Sequence, residues 1–345
     1  MPRHVRFDIE DEQGTETDNT THVGDPFFLP AIEAGINPGP NPLDRSDEQR
    51  GVDGRQKLAP NEYEPDGSLV MRNYLNELGA LLLVQFGDVV STPGDGIITD
   101  PAGDPIPAGA TRHVFSKLTG VRPRSGRITD HYGSSYFEGR GVTIPEIAFG
   151  LDEDGVKATA SLMVNYIRRL TSEPSGGEPS DYTDFDILPM RRRNVVVDWG
   201  VGTENIDSID FSFAQALEYV RDMGSATGWP TDTERANSVE GFLALTGSLN
   251  RRQIDNADWD ALIDADSFAV VISMVSEQAI ASGYPYKMFV EAPAVQFPSG
   301  TPEGLKNQAR HSAEFDWTAA YDEDEGYDFQ VTLVNEVDDY EVAGS

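Results

Sequence analysis

The stretch Ile144-Pro145-Glu146-Ile147-Ala148-Phe149 is followed by an acidic glycine turn and by an alternating run over 158–166. The chain contains a similar arrangement later: Ala292-Pro293-Ala294-Val295-Gln296-Phe297, a longer glycine turn and an alternating run over 311–318. Each copy predicts a strand marked by proline, a turn and a return strand. The two Pro-x-hydrophobic-x-Phe cores are 148 residues apart, about one domain length. This spacing favours two β-rich domains in tandem; the alternative is a chance likeness of two hairpins.

Composition limits the classes of partner. The chain has 345 residues, which suggests about two domains, and a formal net charge of −33. Arginine supplies 21 of its 26 basic residues. An acidic, lysine-poor surface suits high salt, where the Debye length falls to about 3 Å and like charges stop repelling. We therefore expect a halophilic source, with an acidic mesophilic protein as the alternative.

The same charge argues against a protein that grips nucleic acid, because such binding needs Lys and Arg to neutralise phosphates. It does not exclude a protein past which DNA slides. The absence of cysteine excludes disulfides, thiol nucleophiles and Cys-ligated metals. The N-terminus has no apolar core typical of a signal peptide, and the longest apolar run, Leu78–Val84, is too short to span a bilayer. We expect a soluble, non-exported protein.

Pattern and composition predict five segments. These are a flexible N-terminal arm 1–25, a first β domain 26–170, a linker 171–190, a second β domain 191–340 and a C-terminal tail 341–345. The clearest helix is predicted over Met71–Phe86, whose apolar residues follow a spacing of three and four, with Gly87 after its end. A loop is predicted over Pro93–Gly109, which is rich in Gly, Pro and Asp. A short helix is predicted at Trp259–Ile263.

No pattern in the sequence predicts catalysis. Gly224–Gly228 places its serine one position too early for a nucleophile elbow, and neither a His-Glu-x-x-His nor a phosphate loop is present. Gly200–Gly202 resembles a dinucleotide loop only weakly, and a glycine turn between strands is favoured. The five histidines lack ligand spacing. We predict no catalytic, cofactor-binding or metal-binding residues, and no enzyme.

Two kinds of cluster have competing interpretations. The acidic turns Asp152–Asp154 and Asp322–Glu325 could touch cations but lack the spacing of a calcium loop, so solvated turns are favoured. The aromatic pairs at 149 and 297 and at 166 and 317 are better explained by core or intersubunit packing than by a sugar platform. Arg122, Arg124, Arg127 and Arg191–Arg193 would either pair with acids of a neighbouring subunit or lie in solvated loops.

The order of short sequence segments in the second half resembles that of a known protein family. Its parts are Ser208–Phe213, Leu217–Arg221, Gly224, Gly241–Leu249, Trp259–Ile263, Val290–Phe297, Ala313–Phe315, Tyr321-Asp322, Gly326–Asp328 and Val331–Asn335. In the first half, Arg72–Gly87 as a helix followed by the Pro145 hairpin is similar to the same module. Over nearly all of 27–340 the chain resembles the major tail tube proteins of long, non-contractile tailed viruses. The arm 1–25, the insertion Pro93–Gly109 and the extreme acidity depart from that family.

The resemblance implies a mostly β fold made of tandem duplicated tail-tube β-sandwich domains. Each domain would have a flanking α-helix, and the inner sheets of neighbouring subunits would form one β-barrel around a channel. Two domains per chain imply homotrimeric rings, with a homohexamer as the alternative. Stacked rings would conduct viral DNA through an acidic lumen without specific binding. Residues 1–25 and 88–111 would bridge consecutive rings.

The implied partners are further copies of the chain, a tape measure protein, and tail terminator and baseplate proteins, with no membrane and no cofactor. The implied location is the virion tail, assembled in the host cytoplasm, and the acidity fits a virus of a halophile. Three alternatives stay open: another tail ring component on the same fold, a β-sandwich module that binds carbohydrate, and an enzyme whose site has no recognisable motif.

Overall fold

A computed structural model describes the chain as mostly β, as the alternating patterns predict. No helix in the described part of the chain is long and apolar enough to cross a bilayer. The described residues are 5–10, 23–37, 40–43, 59–63, 65–117, 124–132, 135–152, 155–170, 190–199, 206–219, 237–239, 242–252, 262–264, 266–280, 283–303 and 312–340.

Twelve strands and one helix come from the first 170 residues. They are β1 Val5–Ile9, β2 Val23–Leu29, β3 Ala31–Asn37, β4 Pro40–Leu43, β5 Ala59–Tyr63, β6 Asp66–Arg72, α1 Leu75–Phe86, β7 Gly87–Pro93, β8 Thr111–Lys117, β9 Gly126–Tyr132, β10 Ser135–Asp152, β11 Gly155–Met163 and β12 Tyr166–Leu170.

The later described elements are again strands, apart from a short 3-10 helix at Arg192–Asn194 and three helical residues at 262–264. They are β13 Val195–Trp199, β14 Ile206–Ala214, β15 Leu217–Tyr219, β16 Asn237–Val239, β17 Ala244–Arg252, β18 Phe268–Ala279, β19 Pro285–Glu303, β20 Ser312–Ala320 and β21 Gln330–Asn335. Most of the predicted helix at Trp259–Ile263 lies outside the described residues.

Eight strands form one antiparallel sheet, which we call the long sheet. Its order is β3, β6, β11, β10, β14, β17, β20 and β19. The first four strands come from the first half of the chain and the last four from the second half. The halves meet where β10 pairs with β14, so a single sheet runs across the predicted boundary between domains.

Two flanking sheets share their longest strands with the long sheet. The first has the order β2, β1, β9, β10, β12, and the second the order β13, β18, β19, β21, β8, β7. The 18-residue β10 and the 19-residue β19 each begin in a flanking sheet and end in the long sheet. The hairpin β7–β8 pairs with β21, so the two halves are interlaced.

The helix α1 is shorter than its sequence pattern predicts. Met71 and Arg72 pair with β11 as part of β6, so the helix begins only at Leu75. Its end is confirmed, because Gly87 adopts the left-handed conformation with φ 87° and donates its N–H to the Leu83 carbonyl. Ten of the twelve helical residues are buried. An apolar surface of this extent fits a helix packed between sheets.

The predicted flexible arm 1–25 is wrong for residues 5–9, which form the buried strand β1 between β2 and β9. Val5, Phe7 and Ile9 alternate with polar residues, as in a strand with one apolar face. The charged side chains on the other face are paired, because Arg6 donates a hydrogen bond to Asp8 at 2.9 Å. This alternation is too short to stand out in a polar segment.

The predicted loop over Pro93–Gly109 is confirmed, because residues 94–110 connect the strands β7 and β8. Residues 88–93 of the predicted bridging segment 88–111 belong to β7 instead. The loop is held against β19 by one buried and one exposed carboxylate: Lys287 Nζ lies 2.5 Å from Asp100 Oδ2 and 2.6 Å from Asp104 Oδ2. Burial alone would lower the pKa of Lys287, but its hydrogen bonds to the two carboxylates outweigh burial and raise it. The ion pair thus fixes the loop that the sequence left unanchored.

Candidate assembly surface

The long sheet has one apolar and one polar face because its residues alternate between core and solvent. A row of buried residues crosses neighbouring strands in register, and it consists of Leu69, Ala160, Ile147, Phe213 and Leu245. The next buried row contains Phe149 and Phe211, whose rings stack at 4.8 Å, and Trp317. Aromatic residues on this face therefore form the core.

The opposite face is polar and concave. Its central row is uncharged and consists of Val70, Thr159, Ala148, Ser212, Thr246 and Thr318. A groove of about 780 Å³ follows this face, and its ionisable lining residues are Glu146, Lys157, Asp210 and Asp316. Three of the four are acidic. The groove is lined mainly by small hydroxyl-bearing and apolar groups with sparse acidic charge.

The ionisable side chains of the groove are few. Its lining includes no histidine, and Asp316 accepts a hydrogen bond from the Ser299 hydroxyl at 2.5 Å. On β17, Ser248 lies in register between Asp210 and Asp316. Within the described ranges, no group of three or more potential ligands could hold a metal ion.

The predicted hairpins are present, but their register differs from the one that the sequence suggests. In β10–β11 the ladder skips between Thr143 and Glu146, and in β19–β20 it skips between Gln296 and Ser299. Each bulge contains a proline, Pro145 or Pro298, which suits a position outside the hydrogen-bond ladder. Pro145 therefore corresponds to Pro298, and its predicted equivalence to Pro293 is wrong.

A second repeated phrase occurs in the neighbouring strands. Gly67-Ser68-Leu69 on β6 and Gly247-Ser248-Leu249 on β17 hold matching positions in the long sheet. A Cβ atom on Gly67 would lie 2.7 Å from the Gly35 carbonyl oxygen, and one on Gly247 would lie 2.4 Å from that of Asp210. The same close approach of backbones thus recurs in both halves. The Gly-Ser-Leu repeat was the sequence signal that could have given the register.

The flanking sheets repeat in the same way. The first has a ladder shift between Gly139 and Val142, and the second has one between Ala292 and Val295. Glu138 accepts a hydrogen bond from Arg168 at 2.8 Å across β10–β12. At the corresponding positions, Glu291 of β19 accepts one from Gln330 of β21 at 3.1 Å. The bulge and the contact at these positions therefore recur, whereas β2 in the first flanking sheet and β8 and β7 in the second have no counterpart.

The long sheet has two edges and one internal junction of the same kind. At the junction, Ala148 of β10 pairs with Ser212 of β14, and Gln215 donates its N–H to the Pro145 carbonyl at 2.8 Å. Among the described strands, β3 pairs only with β6, and residues 299–303 of β19 pair only with β20. In the repeat, β3 corresponds to β14 and β19 to β10. The two edge strands are thus the repeat counterparts of the two strands that meet at the junction.

The arginine clusters make contacts within the chain. Arg127 lies 3.3 Å from Asp8, and Arg193 lies 2.5 Å from Glu277. Arg124 donates to the Gly87 carbonyl at 3.1 Å. Arg122 and the side chain of residue 192 lie outside the described residues. These three arginines therefore have partners within the chain, and their pairing with a neighbouring subunit stays a prediction.

The other candidates from the sequence are dispersed. The turn Asp322–Glu325 is exposed and closed by Asp322, whose Oδ1 accepts two backbone N–H groups at 2.9 and 3.0 Å. His113 is buried on β8, and burial lowers its pKa to about 4 despite its hydrogen bonds to the Val337 carbonyl and to Asn335. The glycine segments 200–202 and 224–228 lie outside the described residues, as do residues 153 and 154.

Comparisons with known proteins yield little. No protein-family model matches the chain, and no curated protein matches it. Among solved structures, it is similar to a chain of a structure described as "Virion of native gene transfer agent (GTA) particle", with a TM-score of 0.28 and 14% identity. The match covers 38% of this chain and 95% of that one. A TM-score of this size does not establish a shared fold.

Proposed function

We propose that this protein is the subunit of a viral tail tube, in which three chains close into a ring and stacked rings enclose a channel for DNA. The observation that carries the proposal is the internal junction of the long sheet. Strands β10 and β14 already join two four-strand units in antiparallel register. The same pairing between β19 of one chain and β3 of the next would repeat this junction between subunits.

Among the described strands, β3 pairs with β6, and residues 299–303 of β19 pair with β20. An open sheet edge promotes pairing with another chain, and closure into a barrel removes it. Apolar side chains are also exposed near both edges: Ile32 of β3 is 47% exposed, and Ile263, next to a leucine that approaches Gly300 of β19, is 75% exposed.

The number of strands gives the channel size. Three chains contribute eight strands each, and strands lie about 4.8 Å apart. A barrel of these strands has a backbone diameter of about 37 Å without tilt and about 48 Å at a tilt of 40°. After side chains are allowed for, this channel admits a DNA duplex. Six chains would at least double the diameter, so the trimer is favoured over the hexamer.

The polar concave face of the long sheet would line this channel. Its sparse charges are mostly carboxylates, such as Asp210 and Asp316, which offer DNA no release of counterions on binding. DNA would therefore pass with low friction and without sequence recognition. In this role the chain is not an enzyme; a tape measure protein would fill the channel before DNA, and terminator and baseplate proteins would close its ends in the virion of a halophile's virus.

Engineered cysteines provide a direct test, because the chain contains no cysteine. If the junction register recurs, Asn37 of one chain lies opposite Thr301 of the next, as Ser212 lies opposite Ala148 within the chain. The variant Asn37→Cys with Thr301→Cys should form disulfides between chains on mild oxidation. Denaturing gels without reductant should show dimers and trimers but few larger species.

The matched control is Ala148→Cys with Ser212→Cys, which should form a disulfide inside one chain and leave the gel at monomer mass. Electron microscopy of the purified protein in molar salt should show rings or hollow tubes of the diameter given above. If the control forms its disulfide while the Asn37/Thr301 variant stays monomeric at every salt concentration, the ring is excluded.

A further inference from the structure

The two ends of the long sheet differ in surface chemistry. At one end, where β6 begins and β20 finishes, Phe242 is 80% exposed and Tyr321 is 64% exposed. The acidic turn Asp322–Glu325 follows directly, and Asp66 is exposed on the same end. We call this surface, made of Phe242, Tyr321, Asp66 and Asp322–Glu325, the aromatic end.

The opposite end contains basic residues. Arg72 is the last residue of β6 and lies across from Lys157, the third residue of β11. Arg191 is exposed and adjoins the β10–β11 turn, because Val156 donates its N–H to the Met190 carbonyl at 2.9 Å. We call this surface, made of Arg72, Lys157 and Arg191, the arginine end.

Acidic and basic residues are not fully separated, but the difference in net charge between the two ends is large for a chain of charge −33. The turn that joins β10 and β11, next to the arginine end, has the sequence Asp152-Glu153-Asp154. The aromatic end includes Lys117, whose ammonium group lies 2.5 Å from Asp328 and 5.7 Å from the centre of the Phe242 ring. The aromatic end therefore has a net negative charge, whereas the arginine end is close to neutral and presents guanidinium groups.

We propose that the aromatic end of one chain docks on the arginine end of a second copy stacked along the strand direction. This inference rests on the proposed tube, since it names the contact between consecutive rings. Exposed aromatic rings bind guanidinium groups on their faces, and aromatic and arginine residues dominate the energy of protein interfaces. Repulsion between like charges disfavours two aromatic ends meeting, whereas an aromatic end meets no such repulsion at the nearly neutral arginine end.

Head-to-tail contact is also the geometry that continues without limit. A contact between two different surfaces, repeated by one translation and rotation, builds an open filament, whereas a contact between like surfaces stops at two copies. The ring contact through β3 and β19 closes, and the end contact does not. The two surfaces thus account separately for the width and the length of a tube.

Charge reversal separates the two contacts. The full-length variant Arg72→Glu with Arg191→Glu should still form trimers, measured by sedimentation, but should lose at least about tenfold in the mass of tubes. The variant Glu323→Arg with Asp324→Arg should behave likewise. A chain with all four changes has both ends reversed, and it should regain tubes. Asp198→Arg, on the exposed side of β13, is the matched control and should assemble as the wild type does.

The outcomes are distinct. Tubes of normal length from either pair of charge reversals, with trimers intact, would overturn the docking proposal and leave the ring in place. Failure of the fourfold variant to assemble, while its circular dichroism and trimers match the wild type, would also overturn it. A wild-type chain that forms no trimers would refute the proposed function, and the docking contact with it.

Discussion

Replacing Gly247 with alanine tests the close packing at the centre of the long sheet. A Cβ atom at this position would lie 2.4 Å from the Asp210 carbonyl oxygen and 2.6 Å from two atoms of the Trp317 ring. Trp317 is 1% exposed, so its ring has little room to move. Asp210 belongs to β14, which is held between β10 and β17. Neither neighbour can yield without disturbing paired strands.

The expected cost follows from these distances. Overpacking a filled core costs about 1–3 kcal/mol, while alanine recovers about 0.4–1 kcal/mol by restricting the unfolded chain. We therefore expect Gly247→Ala to lower the free energy of unfolding by about 1–2 kcal/mol. Urea denaturation followed by tryptophan fluorescence measures this change, at a protein concentration at which sedimentation shows a monomer.

Two further glycines of the long sheet provide the scale. Gly35→Ala has no atom within 4 Å of the new methyl group and should change stability by less than about 0.5 kcal/mol. In Gly67→Ala, the new methyl group would lie 2.7 Å from a carbonyl oxygen but 3.4 Å from the nearest side chain. Its loss of stability should lie between those of Gly35→Ala and Gly247→Ala. If Gly247→Ala is as stable as Gly35→Ala, the packing described for β14, β17 and β20 is incorrect.

Three other predictions concern buried polar groups. Burial lowers the pKa of His113 from 6.5 to about 4, so the unfolded chain binds more protons than the folded chain between these pH values. The free energy of unfolding should therefore be highest above pH 6.5 and fall by about 3 kcal/mol as the pH drops to 4. The variant His113→Gln should reduce this pH dependence, measured by urea titrations. Lys287→Met leaves Asp100 buried without its cation and should cost about 3–5 kcal/mol in thermal unfolding, and adding Asp100→Asn should restore part of it. Tyr340→Phe removes the hydroxyl that donates to the Asn76 carbonyl at 2.6 Å and should cost about 1–3 kcal/mol in urea unfolding, without changing the circular dichroism.

The sequence predicted the class of fold and the presence of the two hairpins, because alternation and glycine turns are local signals. It misplaced their correspondence because Pro293 and Pro298 are both plausible partners for Pro145, and only the ladder shows which lies in the matching bulge. The phrase Gly-Ser-Leu, present at 67 and 247, marks β6 and β17 as matching strands. Which proline lies in the matching bulge then depends on the strand contacts, which the spacing along the chain does not show.

Long-range strand pairing explains the other differences between the predicted and the observed fold. The sequence predicted the loop over 93–109 but not the strand β7 before it, whose partner β8 pairs with β21 more than 200 residues later in the chain. The strand β1 was assigned to an arm because its alternation is short and one of its neighbours, β9, lies more than 100 residues later. The groove could not be predicted either, since its lining residues come from six strands of both halves. Local patterns contain no information on which strand supplies the partner.

The pairing of β8 with β21 also constrains how the chain can fold during synthesis. Val114 pairs with Thr332, and Tyr340 covers Gly79 in the middle of α1. A ribosome that adds 5–20 residues per second needs about 10–45 s to reach Thr332 after Val114 has been made. During that time the edge of β8 and the side of α1 have no cover from the C-terminal segment. Residues 330–340 therefore complete the packing of the first half, so a nascent chain that stalls before β21 presents an open strand edge to other chains or to a chaperone.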